Sequence, residues 1–129
     1  MADSILIVED EMLVALEMES ILEERGYEVA GIASDLEGAL AFADRNVDLA
    51  LVDLNLRDGL TGPEIGRRLA NEHRAKVLFV TANPRLLGDG IAGTIGVLTK
   101  PTDESSLLSA VEFALRRSAE APPSLRCFN

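Results

Sequence analysis

A chain of 129 residues with 47% hydrophobic but only 4% aromatic content holds one domain, with a core of Leu, Ile, Val and Ala. Its 12 Lys and Arg against 22 Asp and Glu leave a net charge of −10, which repels phosphate backbones and anionic lipid and argues against nucleic-acid or membrane-surface binding. No apolar run approaches the ~18 residues of a membrane span, no secretory leader opens the chain, and the single Cys127 fits a reducing compartment, so a soluble, cytoplasmic protein is expected.

Ser4 to Val8 is a compact β-rich run followed at once by Glu9-Asp10-Glu11, so a first strand ends in carboxylates. Residues 11 to 25 carry a helical pattern, with Val14, Met18, Ile21 and Leu22 on one face and Gly26 placed to stop it. Tyr27 to Ala33 reads as a second, weaker strand. Ser34-Asp-Leu-Glu37 matches a capping box at the start of a second helix.

The central stretch is Val47 to Leu56. Its continuous apolar run reads as a strand buried on both faces, and Asp53 stands at its exit. A carboxylate there needs a counter-charge or a cleft. Thr61-Gly-Pro-Glu64 is a second capping-box match, opening a third helix that runs to about His73.

Lys76 to Val80 is a fourth strand, ending in Thr81. The next segment is irregular: Gly88, Gly90 and Gly93 each weaken a helix by about 1 kcal/mol relative to Ala, so a fourth helix is expected to be short or labile. Gly88 to Gly93 formally matches a dinucleotide-binding fingerprint, but it does not join a first strand to its helix and is rejected. Thr94 to Leu98 is a fifth strand ended by Thr99-Lys100-Pro101. A fifth helix follows from about Asp103 to Arg117, with Leu107, Val111, Ala114 and Leu115 as its apolar stripe. Residues 119 to 129, with Pro122-Pro123, read as a flexible tail after a domain of residues 1–118.

Five strands alternating with five helical segments argue for an α/β fold with a doubly wound parallel sheet. In such a sheet the carboxyl ends of the strands gather on one edge, where ligands bind. That edge would collect Glu9, Asp10, Asp53, Thr81 and Lys100. Carboxylates crowded together repel one another by roughly 1 to 4 kcal/mol per pair at ~4 Å, so cationic help is needed, and an oxygen-only set with room for water suits Mg²⁺.

In order and spacing, Glu9-Asp10, Asp53, Thr81 and Lys100-Pro101 within this β/α frame resemble the receiver domain of bacterial two-component response regulators, over residues 4 to about 118. The resemblance implies a flavodoxin-like sheet of order 2-1-3-4-5 with five helices. It further implies that Asp53 is the phosphoacceptor. Mg²⁺ would be held by Asp10 and Asp53, by the Asn55 backbone carbonyl, and by Glu9 through water. Lys100 and Thr81 would contact the phosphoryl group, and Pro101 would follow a cis bond. Implied partners are a histidine kinase or histidine phosphotransfer protein, and a downstream protein reading the surface of helix four, strand five and helix five.

One departure stands out. The family often has Tyr or Phe three residues before the lysine, whereas this chain has Val97, so the glycine-rich stretch 88 to 93 is expected to carry the switch instead. The leading expectation is a stand-alone response-regulator receiver, not an enzyme, that signals through protein contacts. A receiver-like binding module working without phosphorylation is the alternative. A Mg²⁺-dependent phosphatase of the haloacid dehalogenase type, also built on a strand-end Asp, normally has a second Asp two residues on, where this chain has Asn55.

Overall fold

The structure is a computed structural model that describes residues 2–128. Strands β1 (Ser4–Val8), β2 (Glu28–Ala33), β3 (Leu49–Val52), β4 (Lys76–Thr81), β5 (Gly96–Thr99) and β6 (Leu125–Cys127) form one sheet of order β2-β1-β3-β4-β5-β6. The first five are mutually parallel, and β6 runs antiparallel to β5. The α-helices are α1 (Met12–Glu24), α2 (Leu36–Ala43), α3 (Gly62–Glu72) and α4 (Glu104–Ala114).

The apolar runs alternate between two cores, as a sheet covered on both faces requires. Leu6, Val8, Ala50, Val52, Val77 and Phe79 face one cluster, which includes Ala39 and Ala43 of α2 and Ile65 and Leu69 of α3. Ile5, Ile7, Leu49, Leu51, Leu78 and Val80 face the other, with Ala15, Met18 and Leu22 of α1 and Leu107, Val111 and Ala114 of α4. Every strand residue that looked uniformly apolar therefore has a buried destination.

The flavodoxin-like order 2-1-3-4-5 holds within a larger sheet, but the expected five strands and five helices do not. Six strands and four α-helices form among the described residues. The expected fourth helix is a single 3₁₀ turn, Pro84–Leu87, because Gly88, Gly90 and Gly93 all take positive φ and end any helical progression. The tail expected to be flexible instead adds β6, with Leu125 buried against the α4 side of the sheet. Asn129, the last residue of that expected tail, lies outside the described residues.

Both capping boxes also resolve differently. Asp35, not Ser34, caps α2 by accepting from the Gly38 amide at 2.8 Å. Asp is as good a cap as Ser, and one residue of slip satisfies the same free donors. Thr61 stands at the N-cap of α3, but its hydroxyl donates to Asp58 at 2.6 Å and Glu64 pairs with Arg67.

Candidate acidic site at the strand ends

Backbone bonds bring the exits of the central strands together. The Glu9 amide donates to Ala33 at the end of β2, the Asp53 amide to Val8 at the end of β1, and the Lys100 amide to Thr81 at the end of β4. Neighbouring parallel strands held in register necessarily end side by side, so residues from four distant parts of the chain share one edge.

Oxygen atoms of Glu9, Asp10 and Asp53 lie within 4.8 Å of one another. Glu9 and Asp53 are buried while Asp10 is exposed, so the cluster opens to solvent on the Asp10 side. The Lys100 ammonium donates to Asp53 Oδ2 at 2.8 Å and to Glu9 Oε1. The backbone amide of Leu54 donates to Asp53 Oδ1 at 2.7 Å, and the Glu11 amide to Glu9 Oε2 at 3.2 Å. Each buried carboxylate thus has a cationic partner and an amide donor, as burial of charge demands. Three carboxylates with water access form an oxygen-only donor set that fits a hard divalent cation with few protein ligands.

Thr81 is wholly buried at the end of β4, and its hydroxyl accepts from the Asn83 amide at 3.1 Å. It lies at the same sheet edge, but among the described hydrogen bonds its side chain reaches neither Asp53 nor Lys100. Asn55 is exposed, two residues beyond Asp53 on the loop toward α3. The Lys100–Pro101 bond is cis. Two features are not evident from the motifs: the Leu54 amide on Asp53, and the direct Lys100–Glu9 contact across 91 positions. The first is signalled by position alone, since any residue but proline after a strand-end acid offers an amide. The second has no local signal.

Burial pushes the Glu9 carboxyl above its ordinary value of 4.5, against the lowering pull of the Lys100 hydrogen bond. For Lys100, burial pulls the ammonium down, but its bonds to Asp53 and Glu9 outweigh this and hold it above 10.5. The signs give a testable pH dependence. The folded chain binds the Glu9 proton more tightly than the unfolded chain, so Glu9 lowers stability as pH rises from 4.5 through its raised folded value. Denaturant midpoints of the native and Glu9→Gln chains in metal-free buffer should therefore diverge across that window, the native chain declining relative to the variant. Parallel curves would mean that Glu9 titrates alike folded and unfolded.

A family model described as the response regulator receiver domain matches residues 5–112. The transcriptional regulatory protein PdtaR of Mycobacterium tuberculosis is 33% identical over 122 residues, covering 90% of this chain and 58% of that protein. The phyllosphere-induced regulator PhyR of Methylorubrum extorquens is 31% identical over 118 residues, covering 89% and 44%. Among solved structures, the PhyR receiver domain of Erythrobacter litoralis superposes with a TM-score of 0.80 at 28% identity, covering 94% of this chain and 95% of that one. Response regulator PhyR from Brucella abortus gives a TM-score of 0.80 at 29% identity over 91% of this chain and 49% of that one. This chain spans about half the length of the curated relatives it matches.

Proposed function

The chain belongs to the response regulator receiver domain family, and from that premise we propose that it is a phosphorylation-switched signalling module whose Asp53 takes a phosphoryl group from a histidine kinase or histidine phosphotransfer protein. The observation that carries this reading is the Lys100 ammonium seated on Asp53 and Glu9 with Asp10 beside them. A structural strand-end acid needs one partner; this arrangement gathers three acids and a lysine at the one sheet edge where ligands bind.

In the transfer, a carboxylate oxygen of Asp53 forms a bond to phosphorus in line with the departing donor. The bond from phosphorus to the donor imidazole nitrogen breaks, leaving an acyl phosphate. The Asp10 and Asp53 side chains, the Asn55 carbonyl, and Glu9 through water are the residues that would hold Mg²⁺. When bound, the ion supplies charge neutralisation for the transferring group. Lys100 then turns its ammonium onto a phosphoryl oxygen, and the Thr81 hydroxyl exchanges the Asn83 amide for another. A protein donor is supported by the outer face of α1, where Met12, Leu13 and Leu16 stay exposed immediately after Asp10. No helix among the described residues is long and apolar enough to cross a membrane; the proposed setting is cytoplasmic because the phosphorylation reading needs access to a histidine kinase or phosphotransfer protein.

The elements expected to form the reporting surface, helix four, strand five and helix five, are built differently here. The 3₁₀ turn stands in for the helix, β6 covers the outer edge of β5, and α4 follows. Val97, almost fully buried, offers no swinging ring, and this observation favours a second reading in which the chain binds a partner without phosphorylation.

Intact mass after incubation with Mg²⁺ and a small phosphoryl donor separates the two. The expected result is a Mg²⁺-dependent gain of one phosphoryl group, removed by hydroxylamine. An unchanged mass with donor and with purified histidine kinases alike would support the constitutive module.

A further inference from the structure

The segment after α4 is held by contacts a frayed end would not make. In β6, Leu125, Arg126 and Cys127 pair with Leu98, Val97 and Gly96, and the Phe128 amide extends the ladder by donating to the Ile95 carbonyl at 2.9 Å. The fit is close enough that a Cβ on Gly96 would fall 2.4 Å from the Arg126 carbonyl oxygen. The Phe128 ring packs on the same core cluster as Val97, with its centroid 6.4 Å from that of Phe79. It also lies against Gly90, where a Cβ would sit 2.5 Å from its Cγ. The aromatic ring missing at position 97 is thus supplied on that face by position 128.

This strap is also tied to the loop that follows Thr81. Arg126 donates to the Gly88 carbonyl at 3.1 Å and to the Pro84 carbonyl at 3.4 Å. Those two carbonyls bracket the 3₁₀ turn, which begins one residue after Asn83, and the Asn83 amide is the donor to the Thr81 hydroxyl. One hydrogen bond and a short run of main chain therefore join the Thr81 hydroxyl to both anchors of Arg126. Three positive-φ glycines in residues 88–93 let the loop take up a displacement without moving the sheet.

We propose that residues 125–128 are a releasable strap. Resting on the phosphorylation reading above, phosphoryl uptake draws the Thr81 hydroxyl off the Asn83 amide, shifts the Pro84 and Gly88 carbonyls away from Arg126, and frees the outer edge of β5. The vacated edge accepts an extended segment of a partner protein by antiparallel main-chain pairing with residues 95–98. The strap defines that segment: an apolar residue for the Leu125 site on the α4 side, and an aromatic residue three positions later for the Phe128 site. A partner strand without the arginine does not depend on the two carbonyls, so loading weakens the strap and spares the partner.

The test compares the full chain with and without Mg²⁺ and beryllium trifluoride, a stand-in for the phosphoryl group. Amide exchange at Phe128 and in β6 should quicken by about 5-fold or more on loading, the low end of ordinary coupling between sites, while β1 and β3 stay unchanged. A labelled peptide of residues 122–128 carrying Arg126→Thr and Cys127→Ser should bind the loaded chain tighter by a similar factor. Arg126→Ala and Phe128→Ala chains should bind it without loading. If amides 53–57 and 81–83 respond to loading but the strap does not, the strap proposal fails and the phosphorylation reading stands. If nothing responds anywhere, both fail. Loaded chains that pair with each other, exchanging straps, would overturn the partner-segment assignment in favour of a second copy.

Discussion

Replacing Lys100 by methionine should destabilise the metal-free chain by about 3–5 kcal/mol, the usual consequence of removing one member of a buried ion pair. The Lys100 side chain is 15% exposed and lies between Glu9 and Asp53, whose side chains are 2% and 11% exposed. Without it, two buried carboxylates and the nearby Asp10 face one another with amide donors as their remaining support. Glu9, already raised above its ordinary value by burial, would take up a proton more readily, which caps the loss. The deficit should accordingly be smaller near pH 5 than near pH 8. Millimolar Mg²⁺ should recover much of it, because a divalent ion supplies the counter-charge that methionine lacks. Urea unfolding at two pH values, with and without Mg²⁺, checks all three expectations. A variant as stable as the native chain would mean that the Lys100 contacts contribute nothing net to the fold.

Asp53→Asn should remove phosphoryl uptake altogether while leaving the fold intact. Asn is nearly isosteric, and its side-chain oxygen can still accept from the Leu54 amide that Asp53 Oδ1 holds at 2.7 Å. Lys100 keeps Glu9 as partner. What disappears is the nucleophilic oxygen and one of the three charges in the acidic cluster. Relief of like-charge repulsion within the cluster opposes the loss of the Lys100 bond to Oδ2, which an Asn amide nitrogen cannot accept, so stability should change far less than in the Lys100 variant. Mg²⁺ affinity should fall by about 10-fold or more, the scale of one lost charge interaction of roughly 1.4 kcal/mol at this range. Mass spectrometry with a phosphoryl donor and Mg²⁺ titration by calorimetry read the two effects separately. Retained phosphoryl gain in the variant would place the acceptor elsewhere on the chain.

Sequence alone determined the parts of this protein that are local or periodic. Continuous apolar runs marked β1, β3 and β4 because a strand buried on both faces has no polar side to alternate with. The same frame places Glu9, Asp10, Asp53, Thr81 and Lys100 at one edge, since parallel strands must end together. Where several neighbouring side chains offered the same local service, the sequence underdetermined the choice, as with Ser34 and Asp35 at the start of α2.

Tertiary structure decided what depends on surfaces far apart in the chain. No window of sequence contains both Glu9 and Lys100, so their contact exists only once β1 and β5 flank β3 and β4 in the folded sheet. The tail has the composition of a loose end, with two prolines and little periodicity. Its order comes from the open edge of β5, the small residue at Gly96 and the cores on the two faces of the sheet, where Leu125 is buried on the α4 side and Phe128 partly buried on the Phe79 side. A three-residue strand buries too little to offset its own ordering cost. It forms here because the edge it pairs with is already built.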